Sequence, residues 1–164
     1  MPLKHSFPPI AAPDARLLVL GSLPGDRSLA AQRYYAHPQN QFWQLMSPVV
    51  GRDLVVLDYN DRIGTLREAG VALWDVIGSA QRRSSTDAAI VDVRSNDIGG
   101  LIATLPRLRA IAFNGGTAWK QGKALLSRDF DRAALLPLPS SSPLHTIGLT
   151  AKQPEWSKLA AFLD

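Results

Sequence analysis

The sequence predicts an α/β domain: a single, mainly parallel, four-stranded central sheet with helices on both faces. Three observations predict it. Four short apolar runs are continuous, not alternating, as suits strands buried on both faces of a parallel sheet. Segments with apolar residues at helical spacing lie between them. Each run is followed by small, polar or turn-forming residues, the pattern of strand ends in layered α/β domains.

Residues 1–14 carry four prolines and little periodicity, and are expected to form an N-terminal arm leading into a domain over 15–164. The first strand is Arg16-Leu17-Leu18-Val19-Leu20. A helix follows where Phe42, Trp43, Leu45, Met46, Val49 and Val50 share one face. The second strand is Val71-Ala72-Leu73-Trp74. Ile98, Leu101, Ile102 and Leu105 then mark a helix that stops at Pro106, because proline lacks the N–H that continues a helix. The third strand is Arg109-Ala110-Ile111-Ala112-Phe113, followed by a helix over Thr117–Leu126. The fourth is Ala134-Leu135-Leu136-Pro137-Leu138. A last helix is expected over Pro154–Leu163, with Trp156, Leu159, Ala160 and Leu163 facing the core.

In open parallel sheets, ligands bind at the carboxyl ends of the strands. Four segments stand there: Gly21-Ser22-Leu23-Pro24-Gly25, Asp75-Val76-Ile77-Gly78-Ser79, Asn114-Gly115-Gly116 and Pro139-Ser140-Ser141-Ser142-Pro143. Together they outline one site.

Gly21–Gly25 permits a sharp turn and a close backbone approach to a ligand. It is not a phosphate-binding P-loop, since the glycine spacing is wrong and no Lys-Ser/Thr follows. It is not a nucleophile elbow, because Ser22 directly follows the first glycine. A purely structural turn remains open. The run Tyr34-Tyr35-Ala36-His37-Pro38-Gln39-Asn40-Gln41-Phe42-Trp43 concentrates aromatics, a histidine and an amide where a loop enters a helix. Asn40 suits a helix cap, and Phe42 and Trp43 suit the core. Asn114 offers an amide to a ligand edge or serves an ordinary Asn-Gly turn. The proline-bracketed serine loop offers hydroxyls and N–H groups to phosphates, or is plain solvent loop.

The 164 residues are 46% apolar, enough for one core: a chain near this size buries about 70% of its unfolded surface. Cysteine is absent, which excludes disulfides, thiolate metal sites and a cysteine nucleophile. His5, His37 and His145 lack metal-ligand spacing, so no metal is expected. No run suits a signal peptide or approaches the roughly 20 apolar residues of a membrane span, so the expectation is a cytoplasmic protein without membrane contact. The formal charge of +4 fits a polyanionic partner and is also ordinary for a soluble domain.

Taken in order, these motifs resemble the uracil-DNA glycosylase superfamily over nearly the whole chain from Leu17, and within it the hypoxanthine-DNA (deoxyinosine) glycosylase branch. Gly21-Ser22-Leu23-Pro24-Gly25 with Tyr34-Tyr35-Ala36-His37-Pro38 and Asn40-Gln41-Phe42-Trp43 looks like that branch's first signature. Leu138-Pro139-Ser140-Ser141-Ser142-Pro143 looks like its second, and Ala72-Leu73-Trp74-Asp75-Val76 and Phe113-Asn114-Gly115 also match. One departure is informative. Many superfamily members carry a catalytic Asp or Asn where this chain has Leu23, which neither orients water nor stabilises charge. In the resembling branch the Asn after His-Pro-x takes the role, which falls on Asn40.

The resemblance implies a monofunctional DNA-repair glycosylase that flips a deaminated base, foremost hypoxanthine, out of the DNA and hydrolyses its N-glycosidic bond. It implies Asn40 as the catalytic residue. Gly21, Ser22, Leu23, Tyr35, Asp75 and Asn114 would bind the base, with Tyr35 stacking on it. Superfamily members that excise uracil read it with an Asn at the position of Asp75; a carboxylate accepts without donating and suits a donor edge such as hypoxanthine N1–H. Pro139, Ser140, Ser141, Ser142, Pro143, Leu144 and His145 would grip the DNA, with Leu144 or His145 filling the vacated space. A monomer acting on double- or single-stranded DNA, with no cofactor, is expected. The competing readings are a uracil- or mismatch-directed glycosylase, a non-catalytic DNA-binding module of the same fold, and a small-molecule α/β hydrolase or nucleotide-binding domain.

Overall fold

The computed structural model describes residues 3–82, 90–143 and 147–164. Four parallel strands form the central sheet: β2 (Leu17–Gly21), β3 (Val71–Asp75), β6 (Ala110–Asn114) and β7 (Ala134–Leu138), in the order β3-β2-β6-β7. The register pairs Gly21 with Asp75 and Asn114 with Leu138, so the strands end level with one another. The four predicted strands are thus all present and parallel, each within a residue of its expected bounds.

Helices cover both faces, and the pleat divides the core. Leu17, Val19, Leu73 and Ala112 point to one face, where α2 (Phe42–Val50), α3 (Tyr59–Ala69) and α6 (Leu149–Ser157) pack with Phe42, Leu45, Leu66 and Trp156. Leu18, Leu20, Ile111 and Phe113 point to the other, against α4 (Ile98–Ala103) and α5 (Gly116–Ala124). The β2 side chains are wholly buried on both faces. Each such large apolar side chain contributes about 1.5–3 kcal/mol. Among the described residues no helix is long and apolar enough to cross a membrane.

Four features differ from the sequence expectation. β7 is an edge strand, and only Leu138 in it is fully buried. Pro137 is exposed there; lacking a donor, proline is tolerated at an edge. The last helix starts at Leu149, not Pro154, because the Gly148 carbonyl already accepts the N–H groups of Ala151 and Lys152. A 3-10 turn over Lys158–Phe162 then takes over. Ile77–Ser79 is not a loop: β4 (Ile77–Arg82) follows β3 with only Val76 between them. The hand-over is bonded, Val76 N–H to Gly21 O at 2.8 Å and Ile77 N–H to Ser22 O at 3.0 Å. Finally, a second, antiparallel sheet of order β1-β4-β5 joins β1 (Leu3–His5) and β5 (Ile90–Ser95) to β4. Further along the N-terminal segment, Ile10 bridges Leu73 through both of its backbone groups.

Candidate active site

The carboxyl ends of the four parallel strands open into a cavity of about 540 Å³. Gly21, Ser22 and Leu23 line it from the end of β2, Asp75 from β3, Asn114 from β6, and Ser140, Ser141, Ser142 and Pro143 from the loop after β7. Tyr35, His37 and Asn40 line it from the long connection between α1 (Asp26–Ala31) and α2. Residues more than a hundred positions apart therefore share one wall, because parallel strands end level. Pro139 is not part of that wall; its carbonyl accepts the Trp156 indole N–H at 2.9 Å, which pins the start of the serine loop to α6. Leu144 and His145 lie outside the described residues.

Leu23 is buried and packs with Ile77 and Ala80, so it anchors the Gly21–Gly25 turn to β4. Gly21 is required by closeness. A Cβ there would lie 2.7 Å from Asp75 Oδ1 and 3.2 Å from Tyr35 Oη. Gly115 is required by conformation: its φ of 98° is one that L side chains rarely adopt.

Asn40 is fixed by its own side chain. Its Oδ1 accepts the Phe42 N–H at 3.0 Å, and its backbone N–H reaches the His37 carbonyl at 2.9 Å. The first bond satisfies an N–H that the start of α2 would otherwise leave open. An N–H needs an acceptor, so this bond also decides the amide's orientation. Among the described residues, Asn40 Nδ2 donates to no protein group, which leaves it as the donor a ligand can use.

Tyr35 has a φ of 54°, unusual for a bulky residue and costing about 1–3 kcal/mol. Phe42 holds it there: the rings stack with centroids 3.8 Å apart and planes 9° from parallel. The Trp43 indole N–H also donates to the Tyr35 carbonyl at 3.2 Å. One ring face is thereby covered by protein. Burial, and next the Asp75 carboxylate, push the Tyr35 hydroxyl well above the usual tyrosine range, and the same two causes raise Tyr34. Both hydroxyls stay neutral.

Asn114 is a strut. Its Oδ1 accepts the Ser141 N–H at 2.8 Å, and its Nδ2 donates to Ser141 Oγ at 2.9 Å and, weakly, to Tyr35 Oη at 3.4 Å. Its amide is therefore spent on the serine loop and on Tyr35, and offers less to a base edge than the sequence alone suggested. The Gln41 N–H closes the ring by donating to Ser141 O at 2.9 Å.

Several lining or supporting residues carried no sequence signal. Ser28, buried in α1, accepts the Ala36 N–H at 2.9 Å through Oγ and the Arg33 N–H at 3.0 Å through its carbonyl. Arg27 lines the cavity. Lys152, wholly buried in α6, donates to Gln41 Oε1 at 2.8 Å. Isolated polar residues of this kind acquire a role only through tertiary contacts. Among the described residues no group of three or more His, Asp or Glu is placed to hold a metal ion.

Known proteins are similar to this chain over nearly its whole length. The family model described as the uracil DNA glycosylase superfamily matches residues 8–163. A hypoxanthine DNA glycosylase of Methanosarcina acetivorans is 34% identical over 154 residues, covering 94% of this chain and 96% of the relative. One of Methanosarcina barkeri is 32% identical over 155 residues, with the same coverage of 94% and 96%. A solution NMR structure from Methanosarcina acetivorans, proposed there to be a uracil DNA glycosylase, superposes with a TM-score of 0.84 at 34% identity, covering 98% of both chains. The chain belongs to the uracil DNA glycosylase superfamily.

Proposed function

We propose that the enzyme removes hypoxanthine from deoxyinosine in DNA by hydrolysis, without cutting the strand. Membership of the superfamily makes the chain a DNA glycosylase, a hydrolase of N-glycosyl bonds whose partner is damaged DNA. The observation that carries the finer reading is Asp75, a carboxylate only 3% exposed on the cavity wall, in register with Gly21 and beside Tyr35. Hypoxanthine presents an N1–H donor to such a group. Adenine presents a bare N1 acceptor, which a carboxylate repels. A site that pairs with a polar substrate group rejects the analogue lacking it by about 10⁴–10⁵. The curated relatives at 34% and 32% identity, both hypoxanthine DNA glycosylases, support the same substrate.

The steps follow from the chain's own groups. A paired base is out of reach, so the nucleotide flips into the cavity, at a cost that is lowest for a damaged or mismatched base. The Tyr35 face opposite Phe42 stacks on it, worth about 1–3 kcal/mol. The serine loop, braced by Asn114 and Trp156, holds the backbone. Asn40 Nδ2 donates to the departing base as negative charge builds on it, while water attacks the sugar. The described residues lining the cavity include no lysine, which supports hydrolysis over Schiff-base chemistry. The enzyme acts in the cytoplasm as a monomer on double- or single-stranded DNA.

A base-release panel tests this. Purified protein is incubated with DNA carrying a single inosine, uracil or xanthine, alongside the Asn40→Ala variant. The expected result is hypoxanthine release by the wild type, lost in the variant, with no strand scission. Uracil release without hypoxanthine release would overturn the substrate, and no release at all would favour a non-catalytic DNA-binding module.

A further inference from the structure

Lys152 is a wholly buried lysine in α6, on the protein side of the serine loop. Its ammonium donates to Gln41 Oε1 at 2.8 Å and reaches the Ser142 carbonyl at 3.5 Å. Both acceptors are neutral. Among the described residues the ion pairs are Lys4 with Asp26 and Lys158 with Glu155; none includes Lys152. A buried charge held only by neutral oxygens is costly, and burial lowers its proton affinity. Packing alone would be served better by an apolar side chain.

The position of Lys152 explains its retention. Gln41 follows Asn40 directly, and its N–H holds Ser141 O at 2.9 Å. Ser142 and Pro143 border the cavity on the other side of the same loop. The ammonium thus braces both the Asn40 loop and the serine loop, and sits directly behind the edge assigned above to the DNA backbone.

We propose that Lys152 positions the DNA grip: the buried ammonium supports the serine loop from behind, and its charge, acting through the loop without direct contact, draws a backbone phosphate onto it. Lys152 is a positioning residue. It does not line the cavity and touches no base. This inference rests on reading the serine loop as the DNA grip. It adds to that reading a buried charge that acts through the loop.

The test compares the wild type with Lys152→Met, Lys152→Arg, Gln41→Ala and the double variant Lys152→Met/Gln41→Ala. Duplex binding is measured against salt, and single-turnover hypoxanthine release at saturating enzyme. Each phosphate neutralised adds about −0.9 to the slope of log K against log salt. Lys152→Met is expected to flatten that slope by up to about one and to slow release at least tenfold. Lys152→Arg keeps the charge and should keep the slope. Because Lys152 acts partly through Gln41, the double variant should be little slower than Lys152→Met alone. An unchanged slope in Lys152→Met, which a merely structural lysine would give, overturns the proposal. So do losses that multiply in the double variant. If Lys152→Met does not fold, Lys152→Gln carries the same comparison. Binding needs no turnover, so the slope decides this inference even if the wild type releases no hypoxanthine, a result that would overturn only the substrate reading.

Discussion

The side-chain oxygen of Asn40 accepts the backbone N–H of Phe42 at 3.0 Å, so the residue that starts α2 also sets which half of the Asn40 amide faces a ligand. The amide nitrogen is the half left over. This separates two roles the sequence could not: orienting water as an acceptor, or stabilising the leaving base as a donor. Asn40→Ala is expected to slow hypoxanthine release by about 10²–10³, the usual loss for one preorganised donor. Asn40→Asp is the sharper variant. Its carboxylate still accepts the Phe42 N–H and keeps the loop, but donates nothing. Single-turnover release as slow as in Asn40→Ala, with an unchanged melting temperature, is the expected outcome. A near-normal rate would assign Asn40 to water.

Gly21 faces Asp75 and Tyr35 with no room for a methyl group. Gly21→Ala places a carbon 2.7 Å from Asp75 Oδ1 and 3.2 Å from Tyr35 Oη, and both are partners proposed for the base. Overpacking of this kind costs about 1–3 kcal/mol. Urea denaturation should show that loss, and hypoxanthine release should fall more than tenfold. A variant of normal stability and normal rate would show that the Asp75 wall can move without consequence.

The Asn114 strut couples stability to binding. Asn114→Ala leaves the N–H of Ser141, a residue 1% exposed, without its acceptor. That costs about 1–3 kcal/mol. The serine loop also loses its tie to β6, so affinity for duplex DNA should weaken along with stability. Asn114→Asp keeps the acceptor and should recover most of the stability. Denaturation midpoints and binding isotherms of the two variants check this together.

Much of this was legible in the sequence because its physics is local. Leu17–Leu20 and Ala110–Phe113 are continuous apolar runs, and only a strand covered on both faces needs one. The residues after them could be read as a site because parallel strands end on one side. The second sheet was not legible. β4 has register shifts between Ile77 and Ser79 and between Ser79 and Gln81, which erase the alternation that would mark a strand. α1 is six residues long with a buried Ser28 on its inner face, and α3 fully buries only Ile63 and Leu66, so neither presents a helical stripe. In the structure Asp58 caps α3 by accepting the Asp61 N–H at 2.8 Å. The wiring of the site was the least legible part. Nothing near Lys152 in sequence says that it meets Gln41, and nothing near Asn114 says that Ser141 takes its amide.

The tyrosines supply a prediction independent of activity. The chain has three, Tyr34, Tyr35 and Tyr59, and burial raises the hydroxyl of every one above the ordinary value of 10. Asp75 adds to the effect at Tyr34 and Tyr35, whereas the Tyr34 N–H and Arg33 partly offset it at Tyr59. The folded protein therefore keeps these protons where the unfolded chain has lost them. Stability depends on pH in proportion to the protons bound unfolded minus those bound folded. Above pH 10 that difference is negative, so the tyrosine contribution is fully present below pH 10 and drains away as pH rises, at up to about 1.4 kcal/mol per pH unit for each buried tyrosine. Absorbance at the phenolate band should stay low in native protein at pH values where the protein in denaturant has ionised. Melting temperature should fall steeply over the same range. Tyr35→Phe should make that fall shallower while abolishing little stability at neutral pH, since the one hydrogen bond its hydroxyl makes among the described residues, from Asn114, is a long 3.4 Å. Native tyrosines that titrate at the ordinary value would mean that the wall around Tyr34 and Tyr35 is open to water, and would remove the dry surface on which a flipped base is proposed to stack.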